Sequence, residues 1–183
     1  MRTGAIRILM SVAVLTFLVA PILAQEELRH KDLPNFHKVN DMVYRGAQPK
    51  SGGLEVLRRR GIKTVVNLRD DDARDKQEEA GARTIGLQYF NFPFERWGRP
   101  KDKEIERVLS IINDPANQPV FVHCQHGADR TGVVIAAYRI THDGWTSEQA
   151  TAEAKNHGMK PWQLGMKDYI HDFYKRQTAH ATK

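Results

Sequence analysis

Short apolar runs alternate along the chain with longer stretches in which apolar residues recur every three or four positions. The short runs are rich in β-branched and aromatic residues and predict strands at 39–44, 62–68, 88–92 and 120–122. Helical spacing and capping signals predict helices near Leu54, Asp70, Asp102, Thr131, Thr146 and Leu164. This alternation predicts an α/β fold with a central, largely parallel sheet flanked by helices.

The first two dozen residues differ in kind from the rest of the chain. Arg2 and Arg7 flank the start of a charge-free stretch, residues 8–24, and Ala24 stands where a signal peptidase would cut. Residues 1–24 are therefore predicted to be a signal peptide, with an uncleaved anchor as the alternative. The apolar stretch is short of the ~20 residues that span a bilayer, which favours cleavage. Either way the chain is predicted to be exported, periplasmic or secreted, and to meet a membrane only if this segment stays uncleaved.

The 183 residues suffice for one domain with a proper core. Polar residues 25–35 predict a linker, 36–178 the domain, and 179–183 a short tail. Removing residues 1–24 takes away Arg2 and Arg7 and lowers the formal net charge from +6 to +4, which is mild. No basic stripe is interleaved with aromatic residues, so no nucleic-acid partner is predicted. A chain with one cysteine forms no internal disulfide.

No metal site is predicted. The run Asp70–Asp72 has no nearby residues that complete a coordination set, so it is interpreted as a solvated segment at the start of a helix. His123, Cys124 and His126 lie together but lack a matching second pair of ligands, which argues against zinc.

Cys124 lies between two apolar runs, 120–122 and 133–137. This pattern predicts a strand, a tight loop and a helix. The backbone N–H groups and the helix dipole of such a loop favour an anion, and they favour a cysteine in its thiolate form. Arg130 follows Cys124 by six positions, and its planar guanidinium group can bind two phosphate oxygens at once. The loop therefore predicts a nucleophile beside an anion site.

The pattern C-x5-R-[ST] in this loop resembles the signature of the protein tyrosine and dual-specificity phosphatases, especially small bacterial dual-specificity-type enzymes. The segment Tyr44–Pro49 resembles an opening found in the same enzymes. The resemblance implies that Cys124 forms a phosphocysteine, that Arg130 binds the phosphate and the transition state, and that Thr131 stabilises the leaving thiolate. It also implies that His123 supports the loop and that no cofactor is needed. The implied phosphate-binding loop consists of Gln125, His126, Gly127, Ala128, Asp129 and Arg130.

A phosphatase also needs an acid that protonates the leaving oxygen, and the family usually takes it from an aspartate on an upstream loop. No aspartate stands at an equivalent position in the matching region, 92–102. Glu95 in that loop and Asp129 in the phosphate-binding loop are equal candidates. Asp102 comes behind them because it is expected to cap a helix. Asp-Arg-Thr also occurs in myotubularin-type phosphoinositide phosphatases, where the resemblance implies a role in proton transfer.

The expected function is metal-independent hydrolysis of phosphomonoesters through a phosphocysteine intermediate. The expected partners are phosphorylated substrates, either proteins carrying phosphotyrosine or phosphoserine/threonine or small molecules such as inositol-type phosphates. The alternative is a catalytically impaired phosphate- or phosphoprotein-binding module of the same fold. The missing upstream aspartate supports this alternative, whereas the presence of both Cys124 and Arg130 argues against it.

Overall fold

Five strands form one mixed sheet in the computed structural model, which describes residues 31–181. The strands are β1 (His37–Lys38), β2 (Val43–Ala47), β3 (Thr64–Asn67), β4 (Gln88–Asn91) and β5 (Val120–Cys124). They are ordered β1-β2-β5-β3-β4; β1 runs antiparallel to β2, and the other neighbours are parallel. The predicted central, largely parallel sheet is confirmed, and the carboxyl ends of its four parallel strands meet at one edge.

Six helices follow or separate the strands within the described residues. They are α1 (Gly53–Arg59), α2 (Ala73–Thr84), α3 (Asp102–Asn113), α4 (Asp129–His142), α5 (Ser147–Asn156) and α6 (Leu164–Ala181). Several bounds differ from those predicted, and the strand predicted at 39–44 is observed as β2 at Val43–Ala47. Helix α4 begins at Asp129 rather than Thr131, and α6 continues to Ala181, into residues that were expected to form a tail.

The alternation of side chains along β5 divides the interior into two layers. Val120, Val122 and Cys124 belong to the core that α3, α4, α5 and α6 share. Phe121 and His123 face the other side, where the two rings stack with centroids 5.5 Å apart. Helix α4 lies at the centre of the larger layer, and ten of its fourteen residues are buried. This position explains why residues 132–138 form one continuous apolar run rather than a single apolar stripe.

The helix ends agree with the sequence signals in most places. Asp72 caps α2 by accepting from the N–H groups of Arg74 and Asp75, so the last of the three adjacent aspartates satisfies a helix end. Thr146 forms the predicted capping box at α5. The prediction that Asp102 caps α3 is wrong by one position, because the cap is Lys101 and Asp102 is the first helical residue.

The domain includes more of the N-terminal region than the sequence predicted. Residues 32–35 of the predicted linker pack into the domain, where Leu33 is buried. Asn35 adopts the left-handed conformation with φ 51°, which asparagine tolerates better than most residues. The predicted signal segment, 1–24, lies outside the described residues. Among residues 31–181, no helix is both long and apolar enough to cross a bilayer.

Candidate active site

Cys124 is the last residue of β5, and α4 begins at Asp129, so the predicted strand, loop and helix are confirmed. The residue pairs with Ala47 of β2, and the preceding His123 pairs with Asn67 of β3. The loop of residues 125–128 therefore leaves the middle of the sheet at its carboxyl edge, where open α/β sheets bind ligands. The thiol of Cys124 is buried and is not part of a disulfide.

Two side chains hold the second half of the loop from outside. The amide nitrogen of Asn35 donates to the carbonyl oxygens of His126 and Gly127, at 3.0 and 3.2 Å. The guanidinium group of Arg45 donates to the same Gly127 oxygen at 2.9 Å. Both carbonyl groups therefore point away from the interior of the loop.

The first half of the loop is held in the same way. The backbone N–H of Gln48 donates to the Gln125 oxygen at 3.4 Å, and Nδ1 of His123 lies 3.4 Å from the Cys124 oxygen. Four consecutive carbonyl groups thus face outward. The N–H groups of residues 125–128 have no acceptor among the described residues, which leaves them available to an anion, as at other phosphate-binding loops.

Gly127 permits the contact between this loop and β2. Its φ is +67°, and a Cβ atom there would lie 2.4 Å from both the carbonyl carbon and the oxygen of Gly46. A side chain at this position would push the loop off the strand. Gly127 is thus required both by the close packing of the loop on β2 and by its positive φ.

Arg45 contacts the reactive loop and was not among the site residues that the sequence predicted. Its side chain is buried beneath the loop, and only 1% of the residue is exposed. Burial lowers the pKa of Arg45 to about 10, although the charges of Glu153 and Cys124 act in the opposite direction. The guanidinium group therefore stays charged at neutral pH and places a cation behind the nucleophile. Its Nε and Nη1 have no hydrogen-bond partner among the described residues.

His123 is fixed by a carboxylate from helix α2. Its Nε2 lies 3.2 Å from Oε1 of Glu78, which is within the distance of an ion pair. The two atoms are not aligned for a hydrogen bond. Burial alone would raise the pKa of the Glu78 carboxyl, but the attraction of His123 and hydrogen bonds from its neighbours hold the pKa below 4.5. Tyr89 donates to both Glu78 and Asp75, and burial together with Glu78 raises the pKa of that hydroxyl. His123 thus lies between the carbonyl oxygen of Cys124 and the carboxylate of Glu78, and its role as loop support stays a prediction.

Arg130 and Thr131 lie in the first turn of α4, and both are buried. Nη1 of Arg130 lies 3.2 Å from the carbonyl oxygen of Leu68 and 3.4 Å from that of Phe94. Two backbone segments thus fix the guanidinium group before any substrate binds. The Thr131 hydroxyl has no hydrogen-bond partner among the described residues, so it remains available as a donor.

The three candidate acids lie in different environments. Asp129 accepts the backbone N–H of Lys160 at 2.8 Å, which ties the phosphate-binding loop to the α5–α6 connection. Glu95 is exposed and makes no hydrogen bond or ion pair with the described residues. Asp102 forms an ion pair with Arg176 of α6 at 2.7 Å. The structure thus gives Asp129 and Asp102 structural partners and leaves Glu95 unengaged.

Two further features surround the loop. Trp97 and Trp162 are exposed on neighbouring loops, which are joined by a hydrogen bond from Gln163 to the Arg96 carbonyl oxygen.

Within the part of the chain that the structure describes, no group of three or more histidine, cysteine, aspartate or glutamate residues is arranged to hold a metal ion.

A family model described as "DSP-PTPase phosphatase fused to NAD+ Kinase" matches residues 28–172. The chain belongs to this phosphatase family. It is 34% identical over 125 residues to the dual specificity protein phosphatase TpbA of Pseudomonas aeruginosa (strain PAO1), covering 68% of this chain and 54% of that protein. It is 28% identical over 109 residues to the inositol diphosphatase DSP4 of Arabidopsis thaliana, covering 57% of this chain and 54% of that protein. The chain thus spans about half the length of these curated relatives.

Solved structures show the same fold. The crystal structure of P. aeruginosa TpbA superposes with a TM-score of 0.67 at 27% identity, covering 81% of this chain and 91% of that one. A phosphatase domain of Siw14 from S. cerevisiae gives a TM-score of 0.67 at 18% identity, covering 81% and 93% of the two chains. The phosphatase-type fold expected from the sequence is confirmed.

Substituting alanine for Gly127 tests the packing of the loop on β2. Gly144 is the matched control, since its φ is +68° but a Cβ atom there would meet nothing within 4 Å. We expect Gly144→Ala to lower the free energy of unfolding by about 1 kcal/mol through backbone strain alone. We expect Gly127→Ala to lower it by about 2–4 kcal/mol, because the clash with Gly46 is added. Chemical denaturation measures both values, and equal losses would contradict the packing argument.

Proposed function

We propose that the protein hydrolyses phosphomonoesters through a phosphocysteine intermediate and needs no metal ion. The observation that carries the proposal is the outward orientation of the four carbonyl groups from Cys124 to Gly127. This orientation leaves the N–H groups of the loop to bind phosphate oxygens around a buried thiol. The fixed guanidinium group of Arg130 completes the anion site.

The reaction follows from these positions in two steps. In the first, the Cys124 thiolate attacks phosphorus, the bond to the ester oxygen breaks, and the leaving oxygen takes a proton from the general acid. The loop N–H groups and Arg130 stabilise the charge on the phosphoryl oxygens. In the second, water attacks phosphorus of the phosphocysteine and gives a proton to the carboxylate that acted as the acid, the S–P bond breaks, and inorganic phosphate and the thiolate are released. The unpartnered Thr131 hydroxyl donates to that thiolate.

The relatives suggest two substrate classes. A crystal structure of TpbA contains pTyr, and several plant relatives are named inositol diphosphatases. We therefore propose that the substrates are phosphorylated proteins or inositol-type phosphates. The alternative is a module that binds phosphate without hydrolysing it, and the activity measurement distinguishes the two functions.

The activity is tested with residues 25–183 and an aryl phosphate in the presence of EDTA. We expect turnover that survives chelation and falls roughly 10⁴-fold or more in Cys124→Ser, because the serine hydroxyl is a far weaker nucleophile. Wild-type protein that binds phosphate under reducing conditions without turnover between pH 5 and 8 would favour the binding module. Activity that EDTA removes would contradict the metal-independent mechanism.

We propose that Glu95 is the general acid. It directly follows Phe94, whose carbonyl oxygen accepts from Arg130, and its carboxyl group has no partner among residues 31–181. We expect Glu95→Gln to reduce kcat about 10²-fold or more for an alkyl phosphate and far less for a nitrophenyl phosphate, whose leaving group needs no proton. Asp129→Asn is the matched control, since an asparagine oxygen can still accept from Lys160. If the loss of kcat depends on the leaving group in Asp129→Asn but not in Glu95→Gln, the general acid is Asp129.

We also propose that the protein is exported, because residues 1–24 contain a basic segment followed by an apolar one. Fusing residues 1–30 to a reporter that is active only outside the cytoplasm tests this proposal. We expect reporter activity, and we expect it to be lost when two residues of the apolar stretch are replaced by arginine. A fusion that stays inactive although it is expressed would contradict export.

A further inference from the structure

Asn35 joins the reactive loop to the end of α5 through one side-chain amide. Its Nδ2 lies 3.0 Å from the carbonyl oxygen of His126, 3.2 Å from that of Gly127 and 3.3 Å from that of His157. The first two oxygens belong to the reactive loop, and the third belongs to the residue that caps the end of α5. One amide from the segment before β1 thus bridges two elements that follow it by 91 and 122 positions.

The orientation of this amide follows from its partners. The three carbonyl oxygens can accept only from the amide nitrogen, so the amide oxygen Oδ1 points the other way. There it lies 3.1 Å from Nε2 of His37. Because Oδ1 can only accept, Nε2 of His37 carries a hydrogen atom and donates it. The imidazole ring of His37 therefore opposes a flip of the Asn35 amide, which would set its oxygen against the loop carbonyl groups.

The backbone around Asn35 is anchored on both sides. The left-handed φ of 51° is one that asparagine adopts more readily than most residues. Leu33 and Phe36 are buried, and the ring of Phe36 stacks on Tyr44 and Phe121 with centroids 5.7 Å apart in each case. The amide is thus presented to the loop from a turn that is packed against the sheet.

The segment that follows α5 contacts the reactive loop at a second point. Asp129 accepts the N–H of Lys160 at 2.8 Å, and a Cβ atom at Gly158 would lie 3.5 Å from that of Ala128. The loop and residues 157–160 therefore lie against each other. Asn35 closes this contact at its other end, where the carbonyl groups of the two segments meet at one nitrogen atom.

We propose that Asn35 is a positioning residue for phosphoryl transfer and that His37 acts through it. Asn35 contacts the outer side of the loop, where it holds the carbonyl groups of His126 and Gly127 outward and so keeps the loop N–H groups directed at the phosphoryl oxygens. His37 keeps the amide in the orientation that allows this. The inference rests on the proposed phosphatase activity and adds two residues from outside the reactive loop to its machinery.

The first test removes the amide donor in two ways. Asn35→Gly deletes the side chain but tolerates the left-handed backbone, and Asn35→Asp keeps the shape but presents only acceptor oxygens to the loop. We expect both variants to lower kcat/KM about tenfold to 10²-fold, because small errors in catalytic geometry reduce rates by such factors. The factor is expected to be the same for an alkyl and a nitrophenyl phosphate, since the loop is affected and not the leaving group.

Asn40→Gly is the matched control for these variants. The Asn40 amide lies in the same part of the chain and donates to the hydroxyl of Tyr138 at 2.8 Å rather than to the loop. We expect Asn40→Gly to change stability but to leave kcat/KM within about twofold of the wild-type value. Equal losses of kcat/KM in the Asn35 and Asn40 variants would overturn the inference, and so would full activity in either Asn35 variant.

Tungstate binding separates positioning from folding and from turnover. Tungstate is a tetrahedral dianion that fits a phosphate site and is not hydrolysed, so its Kd reports on the loop alone. Calorimetry would be done at a temperature at which circular dichroism shows each variant to be folded. We expect the Kd to rise about tenfold in Asn35→Gly and Asn35→Asp and to stay unchanged in Asn40→Gly. An unchanged Kd in the Asn35 variants would overturn the inference, even if the wild type proves to have no phosphatase activity.

The role of His37 is tested with a double-mutant cycle. His37→Phe keeps a ring beside that of His157, whose centroid lies 4.3 Å away, but removes the donor. His37→Gln restores a donor, because its amide nitrogen can reach the position of Nε2. We expect kcat/KM to fall about threefold to tenfold in His37→Phe and to be largely retained in His37→Gln. The double variant of His37→Phe and Asn35→Gly is expected to lose no more than Asn35→Gly alone. Additive losses would overturn the action of His37 through Asn35.

Discussion

The backbone carbonyl groups of the reactive loop are held from outside, and the chemistry of the site depends on this arrangement. Donors from the N-terminal segment, from β2 and from β5 itself meet the oxygens of residues 124–127. A peptide group that turns its oxygen outward turns its N–H inward, so these bonds create a cradle of donors before substrate arrives. Such preorganisation is the largest contribution to many enzymatic rate enhancements. Close contact with Gly46 explains why the tightest point of the loop is Gly127.

Buried charge beneath the loop supports the same function. Arg45, which donates to the Gly127 carbonyl, and Glu78, which lies beside His123, are ionisable groups in positions from which water is excluded. Burying such groups is unfavourable unless they are paired or compensated. Glu78 is compensated by His123 and Tyr89, whereas Arg45 is compensated in part by the Gly127 carbonyl and by the charge of Glu153. The positive charge of Arg45 thus lies against the reactive loop, at the Gly127 carbonyl.

Local patterns in the sequence predicted the parts of the fold that depend on near neighbours. The strand, loop and helix around Cys124, the helical spacing of Ile105, Val108, Leu109 and Ile112, and the capping box at Thr146 are all local and were all confirmed. The long-range contacts were not predictable from spacing. Asn35 reaches a loop some 91 residues away, and Arg130 reaches the Leu68 carbonyl 62 residues away. Arg45 directly follows the strand predicted at 39–44, whereas in the structure it lies inside β2 and is buried, so the predicted strand end concealed this buried charge.

The most direct test of the account is identification of the covalent intermediate. The protein would be mixed with an excess of aryl phosphate, quenched within milliseconds in denaturant at alkaline pH, which preserves both S–P and N–P bonds, digested, and analysed by mass spectrometry. We expect one added phosphoryl group on the peptide that contains Cys124, assigned to the sulfur and absent from Cys124→Ser. Turnover accompanied by a phosphoryl group on His123 or His126, or turnover without any covalent adduct, would contradict it.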